Sequence, residues 1–253
     1  ATATYQSGTG SAALVFRYAV VEGNTDSTDL SVSSYSGTVK DTAGNTAGAV
    51  SGDLGSVIVD ANSPTLSSVA ATNGTYKVGD NIDITVTWNE TVNVTDTPTI
   101  TLSNGATATY QSGTGSAALV FRYTVAEGDT NSSDLSVSSY SGTVKDTAGN
   151  TAGAVSGDLG AVIIDGDAPD FVSVAVTDIP LGFTNRGVTS YAVGDNMDIT
   201  VTWDEAVTVT GTPTITLSNG STATYQSGTG SAALVFRYTV AEGHTCLLYT
   251  SDA

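Results

Sequence analysis

Along residues 81–88, NIDITVTW, apolar and polar side chains alternate without a break. Ile82, Ile84, Val86 and Trp88 share one face, and Asp83, Thr85 and Thr87 share the other. A period of two belongs to a half-buried strand, so the first set is assigned to a core and the second to solvent. Leu119, Phe121, Tyr123 and Val125 alternate in the same way. Runs of this kind predict strands at about 66–72, 80–88, 98–103, 106–111, 117–125, 135–145 and 159–165. GTGSA, at 8–12, 113–117 and 228–232, lacks the following helix that a nucleotide-binding loop requires and is read as a hairpin turn.

The pattern repeats. TATYQSGTGSAALVFRY occupies 2–18, 107–123 and 222–238 unchanged, at intervals of 105 and 115 residues. The extra ten fall where TNGTYKVGD (72–80) gives way to TDIPLGFTNRGVTSYAVGD (177–195), and an insertion confined to one place marks a loop. A unit of this length suits a β-sandwich and is far too long for a solenoid coil. The expected fold is therefore all-β: tandem Ig-like β-sandwich domains, one complete and two truncated copies. The C-terminal part of a repeat covers 1–61, a complete repeat 62–165, and the N-terminal part of a third 166–253. The partial copies are expected to expose core faces and unpaired edges. Together they contain a full complement of strands, and a pairing of the two is read as an artefact of truncation.

The middle copy reads VAEGDTNSSDLSVS where the last reads VAEGHTCLLYTSDA. CLLYTSDA (246–253) is read as non-native, the translation of a sequencing adapter at the end of a metagenomic insert; the other reading is a divergent final strand.

Composition narrows the function. Hydrophobic residues make up 40% of the 253, enough for two or three modest cores. Acidic residues outnumber basic ones 25 to 7, and a net charge of −18 argues against nucleic acid or an anionic membrane as partner. No apolar run approaches the roughly 20 residues of a membrane span, so no membrane insertion is expected. The single cysteine, Cys246, forms no internal disulfide, and the single histidine, His244, offers no metal triad. No Ser–His–Asp, Cys–His or phosphate-binding set is present, and the chain is not expected to be an enzyme.

YKVGDNIDITVTWNETVNVTDTPTITL, followed by ATYQSGTGSAALVFRYTVAEGD and VKDTAGN, resembles the tandem bacterial Ig-like repeats of giant secreted surface adhesins, which are cadherin-like in their logic. The resemblance covers nearly the whole chain. It implies extracellular, calcium-stiffened rods whose partners are the neighbouring repeats. A cell-surface or matrix ligand would be bound elsewhere in the full protein.

Sandwich geometry then gathers acids at the junctions. At the first, Asp60 and Asn62 of the linker meet Asp26 and Asp29 of EGNTDSTD and Glu90 of WNETV, and the DTAGN loop adds Asp146 and Asn150. At the second, Asp165 and Asp167 meet Asp129 and Asp134 of EGDTNSSD and Glu205 of WDEAV. Two carboxylates about 4 Å apart repel by roughly 4 kcal/mol at an effective dielectric near 20, which a hard divalent cation reverses. Oxygen donors without His or Cys suit calcium and disfavour zinc or copper. The plainer reading of the same acids is a solvated surface that keeps an acidic protein soluble. Their recurrence at both junctions, with the resemblance, favours calcium. The alternative function is a carbohydrate- or ice-binding module, in which Thr95, Thr97, Thr99 and Thr101 form a flat face or Tyr110 and Tyr140 stack on a sugar.

Overall fold

The computed structural model describes residues 1–177, 184–185, 188–189 and 191–243. His244, Cys246, the CLLYTSDA segment and much of the 177–195 insertion lie outside the described residues. The chain divides into two compact units, 1–167 and 168–253. The described residues are strands and turns without helix, so the protein is all-β.

The first unit runs β1 (Thr4–Ser7), β2 (Val15–Arg17), β3 (Ser31–Val32), β4 (Gly52–Asp53), β5 (Leu66–Ala70), β6 (Gly74–Lys77), β7 (Asn81–Val94), β8 (Thr99–Leu102), β9 (Thr107–Ser112), β10 (Ser116–Thr124), β11 (Ser136–Ser141), β12 (Val144–Lys145), β13 (Gly157–Asp158) and β14 (Val162–Asp165). Eight of these form one sheet in the order β12-β7-β10-β9-β8-β11-β13, with β5 also on β7. Strand β7 is its spine. Phe121 of β10 stands opposite Ile84 and Tyr123 opposite Ile82, so the apolar faces of two alternating strands coincide. Ile82, Ile84, Val86, Trp88, Leu119, Phe121, Tyr123 and Val125 are all buried, as the alternation requires. On the outer face Arg122 donates from Nε and Nη2 to the two carboxylate oxygens of Asp83, each at 2.7 Å.

Three features depart from the seven expected strands. The strand placed at 135–145 is two: β11 pairs with β8, and β12 pairs with β7. Gly142, at φ +113°, turns the backbone between them, and a Cβ there would lie 2.6 Å from Pro98 Cα. Strand β6, at the 72–80 segment, pairs in parallel with β14, a long-range contact that periodicity does not reveal. Strand β7 continues past Trp88, because a bulge between Thr87 and Val92 lets its far end reach β12. Of the four threonines aligned from sequence, only Thr99 and Thr101 lie on a strand.

The GTGSA segment after β9 turns the chain into β10. Ser116 N–H donates to Gly113 O at 3.1 Å, and the Tyr110 hydroxyl accepts from Thr114 N–H at 2.9 Å.

The second unit comprises β15 (Phe171–Val176), β16 (Thr184–Asn185), β17 (Val188–Thr189), β18 (Asn196–Val207), β19 (Thr214–Thr216), β20 (Thr222–Ser227) and β21 (Ser231–Thr239). Its main sheet is ordered β15-β18-β21-β20-β19. Phe236 faces Ile199, and Arg237 grips Asp198, reproducing the pairing of β10 with β7.

Burial of the 17-residue repeat follows its neighbours. Phe121 and Phe236 are 2% and 5% exposed, whereas Phe16 in the same sequence is 45% exposed. Strands β10 and β21 lie against β7 and β18; β2 pairs only with β1 among the described residues. Phe121→Ala should therefore cost about 3–5 kcal/mol, and Phe16→Ala under about 1 kcal/mol. Urea unfolding of the full chain in a Trp203→Phe background, where Trp88 alone reports, checks this; equal costs would contradict it.

Candidate metal centre

Three elements of the first unit converge on one acidic group. The first is the extended run 60–65 that enters β5. The second is the bulge in β7, which carries Glu90. The third is the DTAGN turn after β12, which begins at Asp146. One carboxylate oxygen from each of Asp60, Glu90 and Asp146 lies within 4.8 Å of the others.

Local chemistry builds the turn. Asp146 Oδ1 accepts from Gly149 N–H at 2.6 Å and Asn150 N–H at 2.8 Å, and Asn150 Nδ2 donates to Asp146 Oδ2 at 2.7 Å. Gly149, at φ +103°, permits the reversal. The first copy of DTAGN makes the same lock around Asp41, so the sequence alone specifies it. Context differs: Asp41 is exposed, and Asp146 is buried. Asn150 Nδ2 also reaches Asp60 O at 3.1 Å and Asn62 O at 3.4 Å, tying the turn to the incoming run.

Two further acids flank the group. Asp26 accepts from Ala61 N–H at 2.9 Å and Asn62 Nδ2 at 2.7 Å. Glu22 accepts from Ser63 N–H at 3.0 Å and Ser63 Oγ at 2.7 Å, and these bonds hold its carboxyl below the usual range. Glu90 moves the other way. Burial, then the charges of Asp146, Asp60 and Asp26, push its carboxyl up. The ion pairs among the described residues, Lys77–Asp80, Arg122–Asp83 and Arg237–Asp198, do not involve this group. Carboxylates at such spacing repel by about 1 kcal/mol per pair in water-like surroundings and several times that at lower dielectric.

Of the first-junction residues expected from sequence, the structure brings together Asp60, Asn62, Glu90, Asp146, Asn150 and Asp26, while Asp29 is exposed. Among those of the second, Asp129, Asp134, Asp165 and Asp167 belong to the first unit and Glu205 to the second. Asp129 is engaged locally, accepting from Tyr123 Oη at 2.7 Å and Ala126 N–H at 2.8 Å. Burial and that bond push the Tyr123 hydroxyl up to about 12. Asn24 takes the equivalent place beside Tyr18.

Sequence reasoning missed Glu22, Asn89 and Asn131. Asn131 Oδ1 accepts from Gly166 N–H at 2.6 Å, and its Nδ2 donates to Asp167 at 2.9 Å. This is the Asp26–Asn62 bond with amide and carboxylate exchanged. The compensating pair was visible at 26/62 and 131/167, one interval of 105 apart. Asn89 accepts from Thr65 N–H at 2.8 Å and fixes the start of β5; Asp204 does the same for Asp170.

No family model, no curated protein and no solved structure matches the chain. The chemical reading therefore rests on the donor set: three converging carboxylates with no nitrogen or sulfur ligand among them, which fits a hard divalent cation.

Because the folded state raises the Glu90 pKa, its proton is held more tightly folded than unfolded, and stability falls as pH rises through that range. In chelator at pH 7, Glu90→Gln should raise the melting temperature by about 2–4 °C for each kcal/mol of repulsion removed. The gain should fade as the solution is acidified toward the ordinary Glu pKa. An unchanged or lowered melting temperature at pH 7 would contradict the electrostatic account.

Proposed function

We propose that these are non-catalytic, Ig-like spacer repeats of a bacterial cell-surface or secreted adhesin, stiffened by calcium where successive repeats join. The convergence of Asp60, Glu90 and Asp146 carries this reading. These acids come from the run between one repeat's last strand and the next repeat's first, and from the β7 bulge and the DTAGN turn of the following repeat. Calcium there would be held by those carboxylates, and it would supply the positive charge that lets them stay close. The protein's own residues do the rest: Asn150 ties the DTAGN turn to the run, and Asp26 and Glu22 fasten the other side through Asn62 and Ser63. A run pinned from both sides loses hinge freedom. Length and stiffness are the useful properties of such a chain, and the adhesive ligand belongs to another part of the full protein.

The tyrosines offered for sugar stacking are engaged inside the first unit. Tyr110 packs edge-on to Phe121 at 6.0 Å, and Tyr140 packs edge-on to Trp88 at 6.1 Å while donating to Ala152 O. That occupation supports the spacer over the carbohydrate module.

Titration calorimetry on the full chain should show calcium uptake with Kd in the range of about 10⁻⁴ to 10⁻³ M. Calcium at ten times Kd should stabilise the first unit by about 1.4 kcal/mol. Glu90→Gln leaves the hydrogen bonds of the DTAGN turn untouched and should weaken uptake at least about tenfold. Absence of uptake at millimolar calcium would remove the stiffening mechanism.

A further inference from the structure

The strand that leaves the middle repeat is held along both of its edges. On one side β14 lies parallel to β6, in a register that runs from Val162 opposite Gly74 to Asp165 opposite Lys77. Gly74 N–H also donates to Ala161 O at 3.0 Å. On the other side residues 128–135 follow the same segment. Leu135 N–H donates to Val162 O at 3.0 Å, Ser132 N–H to Ile164 O at 3.1 Å, and Ile164 N–H to Ser132 O at 2.8 Å. The contact continues past the strand: Gly128 N–H donates to Gly166 O at 2.9 Å, and Gly166 N–H to Asn131 Oδ1 at 2.6 Å. Alternation anchors the segment from within, since Val162 and Ile164 are buried while Ile163 faces outward.

The second of these edges recurs 105 residues earlier, so the local sequence specifies it. Leu30 N–H donates to Val57 O at 2.9 Å, Ser27 N–H to Val59 O at 2.9 Å, Val59 N–H to Ser27 O at 2.8 Å and Gly23 N–H to Ala61 O at 2.8 Å. Asp26 stands there where Asn131 stands in the middle repeat, and it accepts from Ala61 N–H at 2.9 Å. Acid and amide are exchanged, and the bond to the departing backbone is kept.

Parallel pairing decides how this segment meets tension. The chain enters the repeat through 60–65, passes β5 and β6, and leaves through β14. Force along the chain therefore draws the start of β6 and the end of β14 in opposite directions, which in parallel strands is along their common axis. Lengthening the repeat requires β14 to slide past β6 and 128–135, or β5 and β6 to be drawn the other way. Either route shears β6 against β14. Bonds across a sheared pair share the load and must fail together, whereas bonds in a pair peeled from one end fail singly. We infer that residues 162–167, clasped between β6 and 128–135, form a shear lock through which the repeat carries tension. This goes beyond a spacer's role of holding distance, and it rests on strand pairing alone, without the cation.

Pulling the same two strands in two directions tests the lock, because resistance to force follows the unfolding barrier and not equilibrium stability. Full-length Cys246→Ser chains carry handles at Thr72→Cys with Ala168→Cys, at opposite ends of the β6–β14 pair, or at Thr72→Cys with Ala161→Cys, at the same end. All three positions are exposed. Single chains are stretched at one loading rate in chelator, so the outcome is separate from that of the calcium reading. The 72/168 pair should yield at a force at least about twice that of 72/161, each event being identified by the length that the residues between the handles release. Asn131→Ala removes a bond at the far end of the lock and should lower the 72/168 force while leaving the 72/161 force unchanged. Equal forces for the two pairs, or a higher one for 72/161, would overturn the proposal. So would an Asn131→Ala chain weakened equally in both directions, the mark of general destabilisation.

Discussion

A strand face in this protein becomes interior only where a second alternating strand closes over it. The pairing of β7 with β10 is that closure in the middle repeat, and β18 with β21 repeats it. The energy at stake is about 1.5–3 kcal/mol for each large apolar side chain removed from water, and no turn or surface ion pair here approaches the sum. Phe121 and Phe16 lie at the same place in an identical 17-residue segment and differ in what lies across the sheet.

The acidic group sits on that frame and works against it. The bulge that carries Glu90 lies between the stretch of β7 that pairs with β5 and the far end that pairs with β12, while β10 pairs with β7 on both sides of it. The DTAGN turn is locked by its own hydrogen bonds, so it cannot relax to separate Asp146 from its neighbours. Packing thus holds together charges that repel, and burial first, then those charges, push the Glu90 carboxyl up. A cation is the chemically simplest relief of such an arrangement.

Much of this was legible in the residues. Period-two alternation placed the buried faces of β7 and β10, and the repeated GTGSA marked its turn, because both depend on neighbours within a few positions. Strand β6, the crossing at Gly142 and the extension of β7 were not legible, since each is decided by a distant partner: β14, Pro98 and β12. At the acidic group, Asp60, Glu90, Asp146 and Asn150 could be named from loop order. Glu22 and Asn131 could not, because their role is to hold a backbone about forty residues away; only the exchanged Asp–Asn pair between copies hinted at it.

The central claim is that burial of the repeated segment is set by its partner strand and not by its own sequence. Native-state hydrogen exchange on the dilute full chain addresses it most directly, using proteolytic peptides that extend into distinguishable flanks such as RYAVVEG and RYTVAEG. The account predicts that amides of 119–123 and 234–238 exchange at least about a hundredfold more slowly than those of 14–18. Equal protection in all three copies would contradict it.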